Sequence, residues 1–467
     1  MVNRFRIRLY QSLVLCACSA LFPRQAHSQI ITSPHACFQG LGDLPGGDFE
    51  SMAQCVSSDG MIVVGTAKTE NGDQAFRWTE EEGIISLGNL PDSSLNQSWA
   101  NNISDNGRVI VGSGDPGESW NTHQGFVWTG ETGMILIGSL DGSERYEAFA
   151  ASADGSVITG DGGQQTFRWT EEIGCVGLGT LPGRNASRGV DISSDGSVVV
   201  GSSYNLPNWD SEQAYRWTAE GGIVGLGFLP GSNYSFAIAV SNDGQVIVGT
   251  GYASGQYPAF RWTQESGMVN IGHLPGKSTT HPQDLTADGS IIVGGSYENM
   301  GSNPQAFIYD ESNGMRNLQT VLREEYGLDL SGWTLRMASG ITPNGNVIVG
   351  WGTNPEGNQE AFRVVLEPAD SHIQEKNGNI ENYKLGQNYP NPFNPATTIP
   401  FSLDRTMKVS LKIYNTSGQL LETLVHDVKP AGNHIAVWDA SGKASGVYLC
   451  QMEMDECSAW QRMVLMR

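Results

Sequence analysis

"ASRGVDISSDGSVVVG" (residues 186–201) and "AYRWTAEGGIVGLGFLPG" (214–231) together decide the fold, because the chain repeats both phrases along most of its length. The first begins as a short apolar-alternating segment, breaks at Asp195-Gly196, and resumes as a run of valines. Asp-Gly and Asn-Gly supply the positive φ angles of a tight hairpin turn. The valine run is apolar on both faces, as a strand buried on both sides must be. A third strand carries Tyr215 and Trp217 on one face, and a fourth ends at Pro230, which cannot donate to a ladder and so suits an outer edge.

The turn phrase recurs as "SSDGMIVVG" (57–65), "SDNGRVIVG" (104–112), "SADGSVITG" (152–160), "SNDGQVIVG" (241–249), "TADGSIIVG" (286–294) and "TPNGNVIVG" (342–350). The tryptophan phrase recurs around Trp78, Trp128, Trp169 and Trp262. Four strands in about 45 residues, repeated in series, are the signature of a β-propeller. The array starts with an orphan fourth strand, "FQGLGDLPGG" (38–47), and ends at "AFRVVL" (361–366) without one. Pairing the two closes the last blade and removes exposed sheet edges. The expectation is a seven-bladed propeller. The sixth unit is irregular: "AFIYDESNGMRNLQTVL" (306–322) stands in place of the last two strands, and the insertion around "REEYGLDLSGW" is expected to carry a helical turn. The tryptophans are expected to pack between neighbouring blades. Arg77, Arg168, Arg216 and Arg261, on the opposite face, are expected to pair with glutamates of the following turn.

Composition agrees with a many-turned all-β chain: 59 glycines and only 16% charged residues in 467. A net charge of −22 argues against nucleic acid. "MVNRFRIRLYQSLVLCACSALFPRQAHS" reads as a signal peptide over 1–28, with arginines, an apolar run and an "A-x-S" site. A lipoprotein reading with Cys18 lipidated leaves a very short apolar region and stands second. No other stretch is apolar enough to span a bilayer. The propeller is assigned to 29–366. Cys450 with Cys457, and less closely Cys37 with Cys55, are candidate disulfides. No spacing suggests zinc or any other metal, and no cofactor motif is present.

The repeats resemble the extracellular HAF-type repeat of bacterial exported proteins over 38–366. That resemblance implies a propeller-like repeat and location outside the cytoplasm, and no activity. A polar linker (367–384) then separates a different pattern over 385–467. "NYPNPFNPATTI", "IYNTSGQ", "ASGVYLCQM" and "MVLMR" are similar, in order, to the type A C-terminal sorting domain of the type IX secretion system, expected as a small Ig-like β-sandwich. The resemblance implies the type IX machinery as partner and release or attachment at the cell surface. It carries a secretion-signal role onto Pro390, Asn391, Pro392, Phe393, Asn394, Pro395, Gly418, Gly446, Val447 and Tyr448. "DECSAWQRMVLMR" departs from it where the family has a lysine-rich segment.

No catalytic motif stands out. The Asp-Gly turns collect carboxylates on one propeller face, without the D-x-D-x-D-G spacing of a calcium loop, so solvated turn residues are the expectation. The other face collects irregular loops carrying Trp120, Tyr204, Trp209, Tyr252, Tyr257, Tyr297 and Trp351 among amides. Aromatic platforms beside amides suit sugar rings, although ordinary polar loops would look the same. Three functions remain: a binding or adhesion module for an extracellular glycan or protein, a polysaccharide hydrolase with its site at the channel, and a purely structural surface component.

Overall fold

A computed structural model describes residues 36–366 and 383–466, apart from 92, 94–96, 118–121, 141, 208–209, 300–301, 387, 404–405, 416–419 and 455–456. The expected signal peptide (1–28) and nearly all of the expected linker lie outside the described residues.

Seven four-stranded antiparallel sheets follow one another between residues 36 and 366. We number them in chain order: strands over 51–86, 97–136, 147–177, 186–225, 235–272 and 279–317 form sheets 1 to 6. Sheet 7 combines Thr334–Ile341, Val347–Thr353 and Gln359–Leu366 with the N-terminal strand Ala36–Gly40 as its outer member, Ala36 opposite Leu366 and Gly40 opposite Phe362. The orphan strands therefore pair as expected.

Each "S-x-D-G" turn is built by its own side chains. Ser193 Oγ donates to Asp195 Oδ1, which also accepts the Ser197 N–H, and the Val198 N–H donates back to Ser193 Oγ. The same bonds recur at Ser57/Asp59, Ser152/Asp154, Ser241/Asp243 and Thr286/Asp288. Donors converging on one oxygen hold the Asp154, Asp195 and Asp288 carboxyls below the usual range. These carboxylates are thus committed to the turns. Among the described residues, no group of three or more His, Cys, Asp and Glu side chains is placed to hold a metal.

The glycine closing each valine run has a steric cause. Every inner strand carries a register shift at the same point, between Gly189 and Asp191 in sheet 4 and at the equivalent positions elsewhere. The bulge pushes the Arg188 carbonyl to 2.0 Å from where a Cβ on Gly201 would lie. Gly65, Gly112, Gly160, Gly249, Gly294 and Gly350 meet the same obstacle.

Apolar clusters lie between consecutive sheets, and one of them joins Val347, Val349 and Ala361 of sheet 7 to Ala53, Phe76 and Trp78 of sheet 1. Phe76, Phe126, Phe167, Tyr215, Phe260, Phe307 and Phe362 are fully buried at equivalent positions in the third strands. Burying each such ring contributes about 1.5–3 kcal/mol. Trp78 is buried with Phe76, and Trp128, Trp169, Trp217 and Trp262 pack half-buried against the clusters.

The arginines correct one expectation. Arg77 does pair with Glu82 at 2.6 Å, but Arg168, Arg216, Arg261 and Arg363 donate Nε to the carbonyls of Gly196, Gly244, Gly289 and Gly60. Each of those carbonyls belongs to the Asp-Gly turn of the adjoining sheet, and Arg363 reaches from sheet 7 to sheet 1. The long side chain satisfies a turn carbonyl across the interface, a partner outside its own repeat.

Sheet 6 is more regular than its sequence suggested. Gln305–Asp310 and Gly314–Asn317 are its last two strands, and the helix is Leu318–Glu324, ahead of the expected insertion. Asn317 caps it by accepting the Thr320 N–H, and Leu318, Val321 and Leu322 bury one face at helical spacing.

The C-terminal region forms two sheets on one core. Tyr383–Leu385, Ala396–Leu403 and Gly432–Asp439 make one, and Met407–Asn415, Leu420–Lys429, Gly446–Met454 and Cys457–Leu465 the other. Trp438, Phe393, Leu411, Ile413 and Met452 lie between them. Cys450 is free and buried opposite Gln461, and Cys37 and Cys55 are also free, so neither candidate disulfide forms.

Candidate functional site

The innermost strands of the seven sheets surround a narrow polar space. It comprises a cavity of about 80 Å³ on the turn side and one of about 200 Å³ beyond it, sharing Cys55, Asn102, Asp191 and Asp284. The bulges build its wall: Gln54, Asn101, Phe149, Val190 and Gln283 are the residues inserted at the register shifts.

The shared residues occupy one level, two positions before the Ser or Thr of each turn phrase. Around the sheets that level reads Cys55, Asn102, Ala150, Asp191, Ala239, Asp284, Gly340. The polar side chain of an even-numbered sheet reaches the main chain of the next. Asn102 Oδ1 accepts the Ala151 N–H, Asp191 Oδ2 the Val240 N–H and Asp284 Oδ2 the Ile341 N–H. The odd-numbered sheets 3, 5 and 7 carry only Ala, Ala and Gly there, which leaves room for the reach. Asp191 and Asp284 also accept the N–H of their own following residues. Burial pushes both carboxyls up to about 7, against the pull of those N–H donors, and Asp105 adds like charge. Burial likewise pushes the Cys55 thiol to about 12, so it is no thiolate nucleophile near neutral pH.

On the turn side, backbone bonds pass from sheet to sheet. Ala153 N–H donates to Ser194, Ser194 to Asn242, Asn242 to Ala287 and Ala287 to Pro343, with Ser58 to Asp105 and Asn106 to Ala153 completing the run. Pro343 has no N–H to continue it to sheet 1. Sheet 7 is joined to sheet 1 instead by Arg363 Nε on the Gly60 carbonyl at the turn and, at the other end of the strands, by Ala361 N–H on Ser51 Oγ and Ser51 Oγ on the Gly42 carbonyl.

The opposite mouth, among the irregular loops, is richer in unspent chemistry. Tyr252 and Tyr234 flank Tyr257, ring centroids 5.3 and 5.8 Å away. All three rings are half-buried. Tyr234 also donates to Glu212, whose Oε1 accepts Ser202 Oγ at 2.7 Å; burial raises that carboxyl. Nearer the channel, the Arg188 guanidinium lies 4.6 Å over the Phe149 ring. Buried Asp161 accepts the Gly163 N–H, and burial raises its carboxyl as well. Glu147 is also partly buried, which works to raise it, but His123 and Arg145 carry it below the usual range.

The seven aromatic residues named from sequence do not form one surface. Trp120 and Trp209 lie outside the described residues. Tyr204 is buried, at 1% exposure. Tyr297 is half-buried edge-on to His281, and Trp351 sits in the second strand of sheet 7 opposite Met337 and Ala361. Only Tyr252 and Tyr257 come together, with Tyr234 added. Sequence reasoning passed over Tyr234 and Arg188 because each stands in a segment whose neighbours read as scaffold.

In the C-terminal region, Phe393 is buried against Trp438 and exchanges backbone bonds with Val464 and Met466. Asn391 Oδ1 accepts the Val464 N–H, which ties the "NPFNP" phrase to the last strand. Tyr448 packs edge-on to Trp438 and donates to the Ala444 carbonyl. Gly446 and Val447 pair with Leu465 and Val464. Pro390, Pro392, Asn394 and Pro395 belong to the turn segment before Ala396, and Gly418 lies outside the described residues.

Residues 387–466 match the family described as a secretion system C-terminal sorting domain. The match implies export by the type IX secretion system to the cell surface or beyond. No helix among the described residues is long and apolar enough to cross a membrane. No curated protein matches the chain. Among solved structures, it is similar to the β-propeller domain of the trilobed protease from Pyrococcus furiosus, at 14% identity and TM-score 0.42 over 71% of this chain and 94% of that one. It is likewise similar to oligogalacturonate lyase from Vibrio parahaemolyticus (13%, 0.44, 71% and 97%) and to TolB from Acinetobacter baumannii (15%, 0.38, 66% and 81%).

Proposed function

We propose that the chain is an exported, non-catalytic binding module: a closed seven-bladed β-propeller of HAF-type repeats that presents its loop face to an extracellular polysaccharide. Residues 1–28 direct it to the periplasm, and the Ig-like sandwich of 385–467 hands it to the type IX machinery.

The observation that carries this reading is the contrast between the two mouths. At the turn mouth and within the channel, Asp191 and Asp284 are each clamped by two main-chain N–H groups, which leaves neither placed as a general acid or base. At the loop mouth, Tyr234, Tyr252 and Tyr257 form an aromatic shelf with a hydrogen-bonding carboxylate at its edge. Sugar rings offer apolar C–H faces and hydroxyl rims to such a shelf. The hydrolase reading ranks below it because both Asp191 and Asp284 are taken up by main-chain N–H groups.

The test is a glycan array probed with the secreted chain, followed by Tyr257→Ala. Removing the central ring of the shelf should weaken binding about 10-fold or more, as for a stacked aromatic worth roughly 1–2 kcal/mol. Silence across the array, or binding indifferent to Tyr257→Ala, sinks the proposal; reducing-end release from a polysaccharide would favour the hydrolase.

A further inference from the structure

We infer that Arg188 is the anchor for a carboxylate on the polysaccharide, so that the ligand is an acidic, uronate-containing polymer. This rests on the glycan-binding reading above and narrows it.

Arg188 is the third residue of the inner strand Ala186–Ile192 of sheet 4, immediately before the bulge. Its guanidinium rests on the face of Phe149, a bulge residue whose side chain forms part of the channel wall. The position is thus the loop-side rim of the channel. The residue is half-buried, and its Nε is buried without any hydrogen-bond partner. Among the described residues it makes no ion pair.

That isolation is unusual, because acids are close by. Asp161 and Glu212 both bear electrostatically on Arg188. Yet Asp161 is occupied by the Gly163 N–H, and Glu212 by Ser202 and Tyr234. Glu147 is occupied by His123 and Arg145. Each of these carboxylates has other donors, and the guanidinium held over Phe149 keeps a buried Nε with no partner. A half-desolvated guanidinium without an acceptor is costly, and a planar carboxylate is the acceptor that its fork geometry fits.

The shelf supplies the rest of the recognition. Glu212 links the two features, feeling the Arg188 charge and accepting the Tyr234 hydroxyl, and Tyr234 packs edge-on to Tyr257. A sugar ring on the tyrosines and a carboxylate on Arg188 would therefore be held by adjoining sheets 4 and 5. The chain's net charge of −22 repels a polyanion at long range. At about 0.15 M salt the screening length is only ~8 Å, so contact at Arg188 dominates there. Affinity should accordingly hold or rise between low and moderate salt.

The experiment measures binding of the secreted chain to alginate, polygalacturonate and hyaluronate, each beside its carboxyl-reduced counterpart, with poly-L-glutamate as a carboxylate that is not a sugar. The expected result is that at least one acidic polymer binds and its reduced form binds about 10- to 100-fold more weakly. Arg188→Gln should erase that difference, and Arg188→Lys should keep part of it. Equal binding of acidic and reduced polymers overturns the inference, and so does an acid preference that survives Arg188→Gln or is matched by poly-L-glutamate. If Arg188→Gln fails to fold, the comparison of polymers on the unaltered chain decides alone. Neutral glycans bound through Tyr257 without acid preference would leave the binding module standing and remove only the uronate. No binding to any polysaccharide would remove both.

Discussion

Replacing Asp191 and Asp284 together by Asn should change how the stability of the sheets depends on pH, and its size follows from the two carboxyls. Each is raised from the usual 3.8 to about 7 by burial. Below pH 4 the folded and unfolded chains are both protonated at these groups, so their contribution is fully present. Between pH 4 and 7 the unfolded chain releases the protons and the folded chain keeps them. Stability therefore falls as pH rises, by up to ~1.4 kcal/mol per pH step for each group, or about 4 kcal/mol each over the window. An unfolding entropy of ~2 cal/mol/K per residue makes 1 kcal/mol worth about 1–2 °C for a body of this size. The pair should thus lower the melting temperature by about 12 °C between pH 4 and 7.5. Asn102 already plays the capping role with an amide in sheet 2, accepting the Ala151 N–H, so Asn is a tolerable substitute. The double variant should lose one acceptor bond per site, about 1 kcal/mol each at every pH, and lose the slope. Circular-dichroism melts of both chains at half-unit pH intervals provide the comparison. Parallel melting curves across that range would refute the assignment of these carboxyls as buried caps.

Other outcomes follow from the same geometry. Gly201→Ala places a methyl 2.0 Å from the Arg188 carbonyl; the bulge must move, and a loss on the order of 3 kcal/mol or complete failure to fold is expected in denaturant titration. Deleting residues 36–47 removes the outer strand of sheet 7 together with Leu41 and Leu44, and should markedly lower the melting temperature. Arg363→Ala breaks the reach to Gly60 and the contact over Trp78, for about 1–2 kcal/mol. A mass measurement of the secreted protein should show residues 385–467 removed during export; an intact C-terminus would show that the sorting domain stays attached.

Much of the fold was legible because its signals are local. An Asp-Gly pair, a two-faced valine run and a terminal proline each dictate a strand or turn without reference to distant residues, and the unmatched phrases at the two ends specified their own pairing. What stayed hidden depends on neighbouring sheets. Arg168 resembles a partner for the glutamates after it until the Gly196 carbonyl of the next sheet is seen within reach. The level of Cys55, Asn102, Asp191 and Asp284 looks like variation in a half-buried strand; only an alignment of the repeats exposes its alternation with Ala and Gly. The helix lay one segment earlier than expected because Asn317 caps it, a cue set inside what read as a strand. The shelf was half legible: Tyr252 and Tyr257 share a loop, whereas Tyr234 arrives from the preceding connection and Arg188 from the scaffold.

The central claim is a division of labour: the repeated residues hold the sheets together, and the loop-mouth residues bind. Paired measurement of melting temperature and polysaccharide binding on Tyr257→Ala and Arg363→Ala tests it most directly. Tyr257→Ala should lose binding about 10-fold with its melting temperature nearly unchanged, and Arg363→Ala should melt lower while binding normally when folded. Binding that falls with Arg363→Ala and survives Tyr257→Ala would contradict it.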